Sequence, residues 1–165
     1  MAGRQEDWAA WLDRHGAALV LLARQWVGSY ADAEDVVQEG FVRFWRSRSS
    51  AADPAAYLFT CVRNCARDRQ RGDARRMKRE VVAAVPEAER AFDAPLEQAE
   101  RVAAIEAALR RLPEEQREVL VMKIWGGLTF AQVGEALGVA MNTAASRYRY
   151  AVERLREALA EEPSR

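Results

Sequence analysis

Apolar side chains recur along this chain at spacings of three and four, the signature of helices with one buried face. Trp8, Trp11, Leu12, His15, Leu19, Leu22 and Trp26 make the first such stripe, and Gly28-Ser29 is expected to stop it. Asp32 is placed to cap a second helix, with Asp35 three residues on in a box-like position. That helix carries Val36, Val37, Phe41, Phe44 and Trp45, and residues 47–52 read as a loop. Asp53-Pro54 opens a third helix, with proline in the first turn where its missing N–H costs nothing. Its buried face is Tyr57, Leu58, Cys61, Val62 and Cys65, and fraying is expected beyond Gly72.

The pattern lapses over residues 77–95, where Pro86, Pro95 and an excess of acids mark a linker. A fourth helix follows with Leu96, Val102, Ile105, Leu109 and Leu112. Pro113-Glu114-Glu115 reads as the next helix start, with proline at the first helical position and acids facing the positive end of the dipole. Val119, Leu120, Ile124 and Trp125 continue it to Gly126-Gly127. Thr129 is placed to cap a short helix bearing Phe130, Val133 and Leu137, Gly138 breaks it, and a last helix runs over about 141–159. The fold expected is all-α: two small helical domains, residues 1–76 and 96–165, joined by a linker over 77–95, with no internal repeat.

Composition narrows the function classes. A length of 165 residues suits one ordinary domain or two small ones. Half the chain is apolar, enough for real cores. With 25 basic and 25 acidic side chains the net charge is zero, which excludes a uniformly basic, histone-like binder. Two Cys and one His cannot fill a four-ligand zinc site unless carboxylates complete it, so neither metal nor cofactor is expected. Cys61 and Cys65 share a helix face as core thiols more readily than as a redox pair, and two cysteines fit a reducing, cytoplasmic setting. No apolar run approaches the roughly 20 residues of a membrane span, so no membrane insertion is expected. Residues 1–7 lack a signal-peptide core.

The zero net charge hides segregation. Between Arg63 and Arg79 stand eight basic side chains against only Asp68 and Asp73. Such a cluster is either a footprint for a polyanion or a solvated helix face laced with ion pairs.

Residues 128–139 (LTFAQVGEALGV) followed by Asn142-Thr143 form the strongest local motif, a helix-turn-helix. Ala131 is small enough for two helices to cross closely, Gly138 suits the left-handed turn, and Val139 plugs the angle between the helices. The second helix would enter the major groove with Asn142, Thr143, Ser146, Arg147 and Arg149. Arg reads guanine edges, Asn reads adenine, and Ser and Thr suit bases or phosphates. The competing reading is a helical hairpin in an unrelated bundle.

With both halves in view, the chain resembles the extracytoplasmic-function (ECF) sigma factors, small promoter-recognition subunits of bacterial RNA polymerase. The likeness runs from about Trp8 to Leu159. Residues 32–45 (DAEDVVQEGFVRFW) look like that family's long acidic-aromatic signature. Residues 56–64 (AYLFTCVRN), with Asp68 and Arg71 behind them, resemble its promoter-contacting run. Residues 112–120 (LPEEQREVL), 127–139 and Thr143 to Arg147 are similar to its second-domain signature. Ala144-Ala145 stands where the family has Val-Lys, and Ala140 where it has a capping Ser or Thr.

The resemblance implies a first domain that docks on the β′ clamp coiled coil of core RNA polymerase and melts the −10 element. It implies a second that reads the −35 element and touches the β flap. On the clamp-docking helix, Asp35, Gln38, Glu39 and Arg43 are left to face the polymerase. For the −10 element the resemblance selects Asn64, and the basic helix around it adds Arg67, Arg71, Arg75 and Arg76, with Asp68 fixing Arg71 or another neighbour. An amide can bond a flipped base edge while Arg planes stack on others. Trp26 and Tyr57 are expected in the core rather than as stacking platforms. For the −35 element Arg117 would support the phosphate backbone beside the recognition helix, and Tyr148, Arg149 and Tyr150 would add phosphate contacts. Promoter DNA and an anti-sigma factor are the further partners implied.

Two other classes compete. A polymerase-independent helix-turn-helix regulator would account for the second domain but leaves residues 32–45 and the basic third helix unexplained. A DNA-cutting or recombining enzyme would need Ser47, Ser49 or Ser50 as nucleophile, with no metal-site pattern beside them.

Overall fold

A computed structural model of the chain describes residues 3–77 and 96–161, and every regular element among them is helical. By its contacts the chain divides into two units, Met1–Glu87 and Ala88–Arg165. Apart from Met77, the expected linker lies outside the described residues.

The first unit holds α1 (Gly3–Ala23), α2 (Tyr30–Ser47), a short 3-10 turn (Arg48–Ser50) and α3 (Pro54–Met77). Helix α1 ends well before Gly28, in a tightening turn where the Trp26 N–H reaches the Ala23 carbonyl at 3.0 Å. Its stripe buries Leu19, Leu22 and Trp26, whereas Leu12 is left 42% exposed. Trp8 packs edge-on against Phe41 at 4.3 Å, and Trp11 lies 5.1 Å from Phe44, so aromatic rings tie α1 to α2.

The cap of α2 is Ser29, not Asp32. Ser29 has the extended backbone of a cap and its hydroxyl accepts the Asp32 N–H at 3.1 Å. Asp32 sits in the first turn instead, where its charge suits the helix dipole and bonds Arg69 of α3 at 2.9 Å. Burying Phe41 and Phe44 completely contributes about 1.5–3 kcal/mol each. Gly40 lies against Val62, where an added Cβ would meet the Val62 Cα at 2.8 Å, so α2 and α3 touch backbone to backbone.

Helix α3 starts as expected: the Asp53 carboxylate accepts the Ala56 N–H at 3.1 Å, and Pro54 is its first residue. It does not fray at Gly72 but continues to Met77. One mid-helix glycine costs only about 1 kcal/mol, and Ala, Arg and Met around it are strong helix formers. Side-chain pairs Arg71–Asp68 at 4.0 Å and Arg76–Asp73 at 3.9 Å flank it.

The second unit holds α4 (Leu96–Arg110), α5 (Glu114–Ile124), α6 (Phe130–Leu137) and α7 (Met141–Ala160). Pro113 is the cap residue of α5 rather than its first helical residue. Val119 and Leu120 of α5 are buried, while Ile124 and Trp125 at its end stay partly exposed. Thr129 caps α6 in a full capping box: its hydroxyl accepts the Gln132 N–H at 3.1 Å, and the Gln132 side chain accepts the Thr129 N–H at 2.9 Å. Gly138 ends α6 in the left-handed conformation, φ 69°. The close approach of the motif falls at Gly134 and not at Ala131, which is exposed. A Cβ on Gly134 would sit 2.7 Å from the Val139 carbonyl oxygen. Ala140 precedes α7 without a side-chain cap, so that helix is held by Ala144, Ala151 and the Phe130–Tyr148 ring contact at 5.5 Å.

Candidate nucleic-acid interface

On α3, Asn64, Arg67, Arg71 and Arg75 follow one another at three- and four-residue steps, which places them on one helix face. Asn64, Arg71 and Arg75 are exposed and Arg67 is half-buried. Arg76 lies further round the helix, beside Asp73. The Asp68 carboxylate stands 4.0 Å from the Arg71 guanidinium, and both side chains are more than half exposed. Behind this polar face run Leu58, Cys61, Val62 and Cys65, all buried. Burial pushes the Cys61 thiol up and the Cys65 thiol up to about 11, with the charge of Arg43 opposing both. Trp26 is buried in the core, whereas Tyr57 is half-buried with its ring 6.1 Å from that of Phe44.

Asp35, Gln38, Glu39 and Arg43 are all exposed on α2, opposite the buried Val36, Val37, Gly40, Phe41 and Phe44. Arg43 bonds Glu39 at 2.7 Å one turn back. It also leans toward α3: Arg43, Asn64, Arg67, Asp68 and Arg71 line one cleft of about 290 Å³. The sequence had separated Arg43 from the other four.

In the second unit, Asn142, Thr143 and Arg149 are exposed at the start of α7, and Ser146 and Arg147 are half-buried. The Arg147 guanidinium lies 3.7 Å from the Glu115 carboxylate in the first turn of α5. Arg117, also on α5, is half-buried, and its Nε is buried without a partner. Tyr148 packs on Phe130, which occupies the ring expected to contact phosphate, while Tyr150 is 52% exposed beside Arg149. Lys123 spans the turn before α6, donating to the Leu128 carbonyl at 3.1 Å with its ammonium 4.5 Å from the Phe130 ring centre. Nothing in the spacing of the sequence pointed to that clasp or to the Glu115–Arg147 pair, since each crosses between helices.

Among the described residues no cluster of three or more His, Cys, Asp and Glu side chains could hold a metal. No helix among them is long and apolar enough to cross a membrane. At residues 47–50 the Ser50 hydroxyl donates to the Ser47 carbonyl at 2.8 Å, and the Arg48 guanidinium stacks on the Trp45 ring at 3.7 Å.

The family profile for Sigma-70 region 2 matches residues 11–76, and that for Sigma-70, region 4 matches residues 103–155. The ECF RNA polymerase sigma factor SigL of Mycobacterium tuberculosis is 36% identical over 156 residues, covering 90% of this chain and 86% of its own. The ECF RNA polymerase sigma factor RpoE of Cereibacter sphaeroides is 31% identical over 135 residues, 79% of this chain and 74% of its own. Among solved structures, CnrH in complex with the cytosolic domain of CnrY superposes with a TM-score of 0.69 at 25% identity, covering 98% of this chain and 93% of that one. RpoE of Bartonella quintana, in complex with the anti-sigma factor NepR, shares the fold with a TM-score of 0.68 at 23% identity, covering 96% and 99%. With its polar α3 face in one matched region and its helix-turn-helix in the other, the chain belongs to the ECF RNA polymerase sigma factors of the sigma-70 family.

Proposed function

We propose that the first domain, residues 1–76, docks on core RNA polymerase and opens the −10 element, while the second, residues 96–165, reads the −35 element. Asp35, Gln38 and Glu39 give α2 an acidic, exposed face that complements a basic clamp coiled coil. Asn64, Arg67, Arg71, Arg75 and Arg76 hold the −10 strand, with the amide on a base edge and guanidinium planes on phosphates and stacked bases. Asn142, Thr143, Ser146 and Arg147 enter the major groove of the −35 element, with Arg149 and Arg117 on its phosphate backbone. Binding energy unpairs a few base pairs, and nucleotide chemistry stays with the polymerase, so the protein itself is not an enzyme. It works in the cytoplasm. Its regulator is an anti-sigma factor, in line with the partner bound to the similar RpoE of Bartonella quintana.

One observation carries this reading most: a polar Arg-Asn face on α3 and a helix-turn-helix with a left-handed Gly138 stand in two units matched by the two sigma regions. The test is selection of promoters from a random library by core polymerase with this protein. Two conserved elements at fixed spacing support the reading; a palindrome bound by the lone protein refutes it.

A further inference from the structure

The cleft between α2 and α3 lies near the point where the two helices touch backbone to backbone. Gly40 lets the two backbones meet at Val62, where a side chain on residue 40 would come within 2.7 Å of the Val62 Cγ2. One turn further along α2 stands Arg43. On α3, Asn64, Arg67 and Arg71 follow at helical steps of three and four that keep them on the same side, with Asp68 next to Arg67. These five line the cleft of about 290 Å³. That is an open depression just below the size of ligand pockets, which run from about 300 to 1,000 Å³ and are mostly apolar. This one has no apolar lining side chain. It has three guanidinium groups, one amide and one carboxylate, an excess of two positive charges. Arginine forks match the oxygens of a phosphate, and an amide adds a donor.

Arg43 is already engaged by Glu39 at 2.7 Å through one nitrogen, with half its side chain exposed. A guanidinium has five N–H donors, so that pair leaves others to face the cleft. Arg67 makes no ion pair among the described residues, and Asp68 stands at the 4.0 Å limit from Arg71.

We propose that Arg43 is a DNA-phosphate residue: with Asn64, Arg67 and Arg71 it closes a cleft that takes one backbone phosphate of the promoter strand at the −10 element. This rests on the −10 reading of α3. It moves Arg43 from the polymerase-facing set to the DNA-facing one, and it makes α2 a helix that touches polymerase on one side and DNA on the other. Glu39 then competes with the phosphate for the same guanidinium.

The test uses holoenzyme assembled from core polymerase and full-length protein on a promoter fragment selected by the wild type. Two quantities are read for each variant: affinity for core polymerase, and the slope of promoter affinity against salt. Arg43→Ala is expected to keep core affinity within about twofold. It is expected to reduce the salt slope by about one and weaken promoter binding about fivefold at 0.15 M salt, the loss of one phosphate contact. Arg43→Lys keeps the charge and is expected to retain the slope. Circular dichroism confirms that both variants fold. Loss of core affinity with an unchanged slope would return Arg43 to the polymerase interface and overturn the inference, as would no change in either quantity. If Arg67→Ala and Arg71→Ala also leave promoter binding unchanged, the −10 reading falls; if only Arg43 is silent, the inference falls alone.

Discussion

Gly40 of α2 and Val62 of α3 meet with no room for a methyl group: a Cβ on residue 40 would stand 2.8 Å from the Val62 Cα and 3.0 Å from its backbone nitrogen. Backbone cannot move aside as a flexible side-chain end can. Gly40→Ala should therefore force the helices apart and destabilise the first unit by about 1–3 kcal/mol, despite the better helix propensity of alanine. Urea unfolding checks this, and Gly72→Ala is the control, since nothing lies within 4 Å of a Cβ there.

His15 is buried between Trp11 at 5.2 Å and Phe59 at 5.8 Å, and its Nδ1 has no partner. Burial first, and the nearby Arg14 charge second, lower its pKa from the usual 6.5. Below about pH 6.5 the unfolded chain takes up a proton that the folded chain resists, so stability falls with acidity through that window. His15→Phe should remove this part of the pH dependence. The difference in urea midpoint between variant and wild type should grow in favour of the variant from pH 7.5 to pH 5.5.

Cys61 and Cys65 should be silent toward thiol reagents. Both are buried, and the Cys65 thiol is pushed up to about 11, so almost no thiolate exists near neutral pH. Titration with a chromogenic disulfide should find neither thiol in the native protein and both in denaturant. Because the folded thiols ionise later than unfolded ones, stability should also decline as pH rises from about 9 toward 11.

Arg147 and Arg149 should separate readout from anchoring. Arg147 is half-buried and held by Glu115 at 3.7 Å, whereas Arg149 is exposed beside Tyr150. Arg147→Ala should cost about 1–3 kcal/mol of promoter affinity and relax preference at one −35 position. Arg149→Ala should weaken all sequences evenly and lower the salt slope by about one. Binding of holoenzyme to a set of −35 variants at several salt concentrations measures both.

Most of this architecture is legible in the sequence because helical periodicity is a local signal. Phe41, Phe44, Val62 and Leu120 are buried where the stripes put them, and Thr129 and Gly138 cap α6 as their chemistry demands. The misses lie where two local solutions compete. Ser29 and Asp32 can each cap a helix; Ser29 takes the cap, and Asp32 instead accepts from Arg69 on α3, a partner 37 residues away that no spacing rule reveals. The same blindness hid Gly134, whose neighbour is the Val139 backbone across a turn, and the cleft that joins Arg43 to Asn64. The candidate site residues on α3 and α7 were visible as types and faces; their cross-helix partners were not.

The central claim is that α3 captures an unpaired strand once core polymerase holds the protein at a promoter. Permanganate reactivity of −10 thymines tests it most directly. With core polymerase and this protein together, thymines at the −10 element should become reactive, Asn64→Ala should suppress that reactivity, and neither component alone should produce it. Reactivity unchanged in Asn64→Ala, or no opening at any promoter to which the holoenzyme binds, would contradict the account.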